Sequence, residues 1–123
     1  MKPELAHKTV AALKRAGIDF VSYIPETRLS EILPLMKADE AFTLAPVSSE
    51  AEAVGIAAGA ALGGKRAAVY MEGTGLFVSA YNLLTVGERY GVPMLLTRGG
   101  QIARYGKEGS EAEFAIFYLV FDA

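Results

Sequence analysis

The run from Ala53 to Leu62 contains no polar side chain, and a helix that is apolar on every side must be buried on most of its faces. Ser49 and Glu52 stand at the S-x-x-E spacing of a capping box, which opens this helix over Glu50–Leu62, and Gly63-Gly64 closes it. Gly55 and Gly59 would let neighbouring backbones approach it closely. The rest of the chain must therefore build a core around this helix. With 52% apolar residues in 123, there is enough material for one domain.

The flanking segments supply that core. Pro3 suits a first helical position, Ala6, Val10 and Leu13 repeat at i, i+4 and i+7, and Gly17 is placed to stop the segment in a left-handed conformation. Ile18 to Ile24 is β-branched and aromatic and halts at Pro25, as a strand would. Leu29, Ile32, Leu33 and Met36 return to helical spacing, with Pro34 opposing a long undistorted helix. Phe42 to Ala45 reads as a brief strand before Pro46, and Arg66 to Met71 as another. Gly73-Thr74-Gly75 reads as a tight turn, Leu76 to Tyr90 as a third long helix, and the stretch after Gly91-Val92-Pro93 as a strand ending near Thr97. Strands alternating with helices over short connections predict a three-layer α/β/α fold with a mostly parallel sheet. Residues 98 to 111 crowd together glycines and basic residues and read as a surface loop. Glu113 to Phe121 is compatible with an edge strand or a short helix.

Composition removes several kinds of function. A formal charge of −2 with scattered lysines and arginines gives no footprint for nucleic acid or an anionic membrane. There is no cysteine, so disulfides, thiolate zinc sites and cysteine nucleophiles are excluded, and a cytoplasmic setting is expected. Met1 to Ala16 carries five charged residues and no apolar core, which fits neither a signal peptide nor a span. His7 is the only histidine and falls on the polar side of the first helix, so Ser-His-Asp triads are ruled out. Gly59, Gly64 and Lys65 imitate a phosphate loop, but Arg66 takes the Ser/Thr position and the order is helix to strand. Gly73-Thr74-Gly75 follows a strand as a dinucleotide motif should, yet Val78 occupies the third glycine position and no acidic residue follows at ribose distance.

Two groups remain. Arg98, Arg104 and Lys107 form either a solvated basic loop or a receptor for an anionic substrate. Glu50 is left over once Ser49 and Glu52 have taken the capping roles. It is either a carboxylate favourably placed at a helix amino end or a functional acid beside an apolar helix.

The stretch Ser48-Ser49-Glu50-Ala51-Glu52-Ala53-Val54-Gly55-Ile56-Ala57-Ala58-Gly59 resembles the cofactor-activating glutamate motif in the pyrimidine-binding (PYR) domain of thiamine diphosphate (ThDP) dependent decarboxylases. Met71 to Leu76, Asn82-Leu83-Leu84 and Gly91-Val92-Pro93 resemble the next strand, turn and helix of that domain. The resemblance covers roughly Pro3 to Gly100 and is nearest to the sulfopyruvate and phosphonopyruvate decarboxylases. It implies that Glu50 hydrogen-bonds a ring nitrogen of the cofactor's aminopyrimidine, promoting loss of the thiazolium C2 proton, and that a 2-oxo acid, with sulfopyruvate favoured, loses carbon dioxide. It further implies that Gly73, Thr74 and Gly75 lie against the pyrimidine and that Arg98 and Arg104 meet the substrate's acid group.

The family's Gly-Asp-Gly motif for diphosphate and Mg2+ has no counterpart here. The resemblance therefore implies a partner, a diphosphate-binding (PP) beta subunit that holds the metal and shares the cofactor. An isolated chain should self-associate through the apolar seam. Gln101 to Ala123 does not resemble the family's continuation, so a single PYR domain over 1–123 with a diverged or incomplete tail over 98–123 is expected. Two other readings stay open: a non-catalytic or regulatory homo-oligomer that keeps the fold, and a flavodoxin-like nucleotide-binding domain.

Overall fold

A computed structural model describes residues 3–99 and 115–119, with the backbone alone at 28, 98, 99 and 115–119. Helix α1 spans Pro3–Arg15 and buries Ala6, Val10 and Leu13, the stripe its spacing predicts. Gly17, at φ +75°, turns the chain out of it. Strand β1, Phe20–Tyr23, follows, then a 3-10 turn over Thr27–Ser30 and a short helix α2, Leu33–Lys37, with Pro34 in its first turn, where a missing N–H costs nothing. Strand β2 is Thr43–Pro46, helix α3 Glu50–Leu62, strand β3 Ala67–Glu72 and helix α4 Gly75–Asn82. A π-helical turn over Leu83–Glu88 leads to β4, Met94–Gly99, and the final strand β5 is Ala115–Leu119.

The five strands lie in the order β2-β1-β3-β4-β5. The first four are parallel; β5 runs antiparallel along β4, with Arg98 opposite Ala115. Within the segment open to both readings, Ala115–Leu119 is thus an edge strand. Pro46 sits on the other edge, opposite Tyr23, where it removes no ladder hydrogen bond from a central strand.

Alternation along the strands divides the core in two. Val21, Tyr23, Ala68, Tyr70 and Leu95 face α1 and α2. Ala67, Val69, Met71, Met94 and Leu96 face α3 and the π-helical turn, packing on Ala53, Val54, Ala57, Ala58 and Leu83. The fold is therefore three-layered α/β/α, as the alternation predicts. Among the described residues no helix is long and apolar enough to cross a membrane.

Two expectations need correction. The helix predicted as one piece over Leu76 to Tyr90 changes at Asn82 from α to π pitch. Thr85 Oγ1 donates to the carbonyls of Tyr81, at 2.9 Å, and Asn82, at 3.3 Å, and such back-bonding competes with regular helix pairing. The polar-free helix α3, expected to be covered on most faces, is buried on one side only. Gly55, Ile56, Gly59 and Leu62 are exposed, and a Cβ added at Gly55 or Gly59 would meet nothing within 4 Å. No described backbone approaches those glycines.

Candidate functional site at the carboxyl edge of the sheet

The chain runs from β1 outward to β2, then back across to β3 and β4, so its direction reverses between β1 and β3. Open α/β sheets bind ligands outside the carboxyl ends of the strands at such a switch point. The segments leaving β2 and β3 carry the expected site residues to that edge. Val47 N–H donates to Tyr23 O at 3.0 Å, extending the β1–β2 ladder by one residue before the chain turns into α3.

Ser49, extended at φ −148° and ψ 157°, is the N-cap of α3, and its Oγ accepts from the Glu52 N–H at 3.2 Å. Glu52 Oε2 in turn accepts from the N–H of Ser48 at 2.7 Å, one residue outside the amide that a capping box usually reaches. Both halves of the cap are thus occupied without Glu50, the first residue of the helix.

Glu50 is half-buried, and its side chain lies directly on the backbone of Gly75, the first residue of α4. A Cβ built on Gly75 would overlap Glu50 Cγ and stand 2.7 Å from Cδ and 2.8 Å from Oε1. Position 75 must therefore lack a side chain for Glu50 to occupy this place. The carboxyl accepts no hydrogen bond from the described residues, so its oxygens are available to a ligand. Gly73 is buried in the turn after β3, whereas Thr74 is exposed and its hydroxyl makes no capping bond to α4. Glu50 and Gly73 to Gly75 are thus brought together.

The arginines stand differently. The backbone of Arg98 lies at the same carboxyl edge, opposite Met71 of β3 and one position before the Glu72–Gly99 pair. Arg104, with Lys107, lies outside the described residues. His7 is exposed on α1, as its position in the pattern predicts. A groove of roughly 630 Å³ between α1 and β4, lined by Leu5, Ala12, Leu95 and Thr97 among others, is on the opposite face of the sheet from α3 and does not include Glu50.

Sequence reasoning assigned no role to the groups that hold the site. Ser22, fully buried in β1, donates through Oγ to Ala53 O at 2.8 Å, and the Asn82 side-chain amide donates to Ala51 O at 2.7 Å. Both grip the first turn of α3 from outside. Tyr70 donates its hydroxyl to Glu26 at 2.5 Å, bridging β3 to the segment after β1 at the switch point. Each is a lone polar group in or beside an apolar run, which is the signal that could have drawn attention to it.

A mostly parallel sheet covered by helices on both faces, with a carboxylate at its carboxyl edge, makes this an α/β domain, and the relatives specify its family. Residues 3–117 match the model of the thiamine pyrophosphate enzyme N-terminal TPP binding domain, and the chain belongs to that family. It is 34% identical to the sulfopyruvate decarboxylase subunit alpha of Methanothermobacter thermautotrophicus over 92% of this chain and 66% of that protein. It is 35% identical to the same subunit of Methanocaldococcus jannaschii over 69% of this chain and 50% of that one. The chain thus spans between half and about two thirds of these relatives. The solved 2-oxoglutarate:ferredoxin oxidoreductase of Magnetococcus marinus matches 69% of this chain and 16% of its own, with a TM-score of 0.58 and 21% identity, a likeness of fold alone.

Proposed function

We propose that the chain is the pyrimidine-binding subunit of a ThDP-dependent 2-oxo acid decarboxylase, with sulfopyruvate the favoured substrate. The observation that carries this reading is the placement of Glu50, whose carboxyl rests on Gly75 at the carboxyl edge of the sheet with no hydrogen bond from the described residues. The family to which the chain belongs and the names of its relatives point the same way.

The residues suit the group. A carboxyl with free oxygens at the edge of an exposed apolar surface offers a hydrogen-bonding partner to a ring nitrogen beside a place for a flat heterocycle. When bound, ThDP supplies the electron sink for decarboxylation. This chain would supply the hydrogen-bonding carboxyl of Glu50 to the cofactor's ring nitrogen, at a place fixed by its packing on the Gly75 backbone. Gly73 and Thr74 shape the neighbouring turn, and Arg98 and Arg104 are assigned to the substrate's acid group. Mg2+ and the diphosphate are assigned to a partner, the PP beta subunit, a reading supported by relatives that are named as alpha subunits.

The test is Glu50→Gln, mixed with a diphosphate-binding partner subunit, ThDP and Mg2+. Carbon dioxide release and deuterium exchange at the cofactor C2 position should both fall by at least about 100-fold, the usual contribution of a placed acid–base group. Turnover near the unsubstituted level would remove Glu50 from the role. Absence of turnover by the unsubstituted chain under the same conditions would favour the second reading, a non-catalytic homo-oligomer, which draws on the exposed apolar face of α3 and α4.

A further inference from the structure

Gly75 and Asn82 are seven residues apart in α4, close to two full turns, so they lie on one face of the helix about 10 Å apart. Both meet the first turn of α3. Gly75 receives the Glu50 side chain, and the Asn82 amide donates to the carbonyl of the next residue, Ala51, at 2.7 Å. Ser79, between them on the same face, is fully buried, and its hydroxyl bonds Gly75 O at 2.7 Å and reaches Met71 Sδ of β3 at 3.8 Å, not the first turn of α3. Asn82 is therefore the side chain from α4 that reaches across to the glutamate's turn.

The bond is not a helix cap. Within an α-helix the carbonyl of residue 51 already accepts from the N–H of residue 55, and the amide of Asn82 takes its second lone pair. Nothing in the hydrogen-bonding needs of α3 calls for this donor. What the bond adds is lateral: it fixes the rotation and height of the first turn relative to α4. Ser22 does the same from β1 through Ala53 O. The turn carrying Glu50 is thus tied to the sheet on one side and to α4 on the other. The tie to α4 sits where the helix changes to π pitch, a feature that recurs at functional sites.

We infer that Asn82 is a positioning residue for Glu50, holding the first turn of α3 so that the carboxyl stays on Gly75. This rests on the reading of Glu50 given above. A displacement of about 1 Å at a reacting group costs on the order of 100-fold in rate, so loss of the tie should be visible in the chemistry well before it is visible in the fold.

The experiment compares Asn82→Ala and Asn82→Leu, the second of which keeps the bulk without the donor, with Thr9→Val as a control whose hydroxyl bonds Leu5 O within α1, on the other face of the sheet. In the full chain without cofactor, amide hydrogen exchange is read at Glu52 and Ala53, whose N–H groups are held by Ser49. Both Asn82 variants should speed that exchange about tenfold, the effect of losing one net hydrogen bond. Thr9→Val should leave it unchanged. With the partner subunit, ThDP and Mg2+ added, C2 deuterium exchange should slow by about tenfold or more in both Asn82 variants while the cofactor's dissociation constant moves less than about threefold.

Wild-type exchange at the cofactor in either Asn82 variant overturns the assignment, as does restoration of normal behaviour by leucine, which would make bulk the operative property. Failure of both variants to fold also overturns it, because Asn82 would then be a folding residue. Glu50→Gln run in parallel separates the two ideas: if it too exchanges normally, the reading of Glu50 fails, and if it alone is slow, only the role of Asn82 does.

Discussion

Gly75→Ala tests the geometry of the site with one methyl group. The backbone at 75 does not have a positive φ, so alanine is conformationally acceptable there and brings up to about 1 kcal/mol of helix propensity. The new Cβ, however, would stand 2.7 Å from Glu50 Cδ and 2.8 Å from Oε1, and would overlap Cγ. Carbon atoms pack at roughly 3.5–4.0 Å, so the glutamate must shift by about 1 Å or leave its rotamer. Overpacking of this kind costs about 1–3 kcal/mol, and set against the propensity gain the net loss of stability is about 0–2 kcal/mol. The effect on chemistry is larger, because a reacting group misplaced by about 1 Å loses on the order of 100-fold in rate. Denaturant titration of the chain and carbon dioxide release in the presence of the partner subunit, ThDP and Mg2+ measure the two sides separately. The double variant Gly75→Ala, Glu50→Gln should be no slower than Glu50→Gln alone, since both act through one carboxyl. If Gly75→Ala keeps the rate within about threefold of the unsubstituted chain, the carboxyl does not need the place it occupies and the reasoning fails.

The Lys14 ammonium donates to Asp39 Oδ2 at 2.6 Å and the Ala41 N–H to Oδ1 at 3.0 Å, and these hold the Asp39 carboxyl below its ordinary value of 3.8. A depressed carboxylate contributes stability that is complete above 3.8 and disappears as pH falls through the lower folded value. Lys14→Met should therefore reduce the difference in melting temperature between about pH 7 and about pH 2, and an unchanged difference would count against the pairing. Phe77 and Tyr81 are 75% and 74% exposed on α4. Replacing both with lysine should weaken self-association in sedimentation, and affinity for the partner in calorimetry, by about 30-fold or more if they anchor the contact. No change in either measurement would remove this face from both roles.

Much of the frame was legible because it follows from local rules. The stripe Ala6, Val10 and Leu13, the left-handed Gly17 and the limits of α3 come directly from periodicity, glycine's tolerance of positive φ and the Ser49 cap. Glu50 was legible too, as the acid that the cap does not use. The supports of the site were not. Ser22 meets Ala53 and Asn82 meets Ala51 across 31 positions in each case, and no pattern within a window reports which distant carbonyl a serine or asparagine will find. Gly75 was read as room for a ligand, but its lack of a side chain first makes room for Glu50. The π turn escaped notice because it depends on where Thr85 directs its hydroxyl, while apolar spacing over Leu76 to Tyr90 suits α and π pitch alike.

The polar-free helix remains the most informative segment, because the chain contains its own control. Helix α1 also lies on the outside of the sheet, and there the exposed positions include Glu4, His7, Lys8, Lys14 and Arg15 beside Pro3, Leu5 and Ala11, with Glu4 and Lys8 paired at 2.7 Å. A layer that ends in water is written with charges. On the other face of the sheet, α3 exposes Gly55, Ile56, Gly59 and Leu62, and α4 exposes Phe77, Val78 and Tyr81. Apolar groups gathered on two packed helices in this way make the kind of patch that proteins use for contacts. Glu50 begins the first of these helices and rests on the first residue of the second, so a chain covering this face would also close over its carboxyl. On the proposed reading that closure excludes water from the proton shared with the cofactor, and the uncovered helix face is the surface through which it is made.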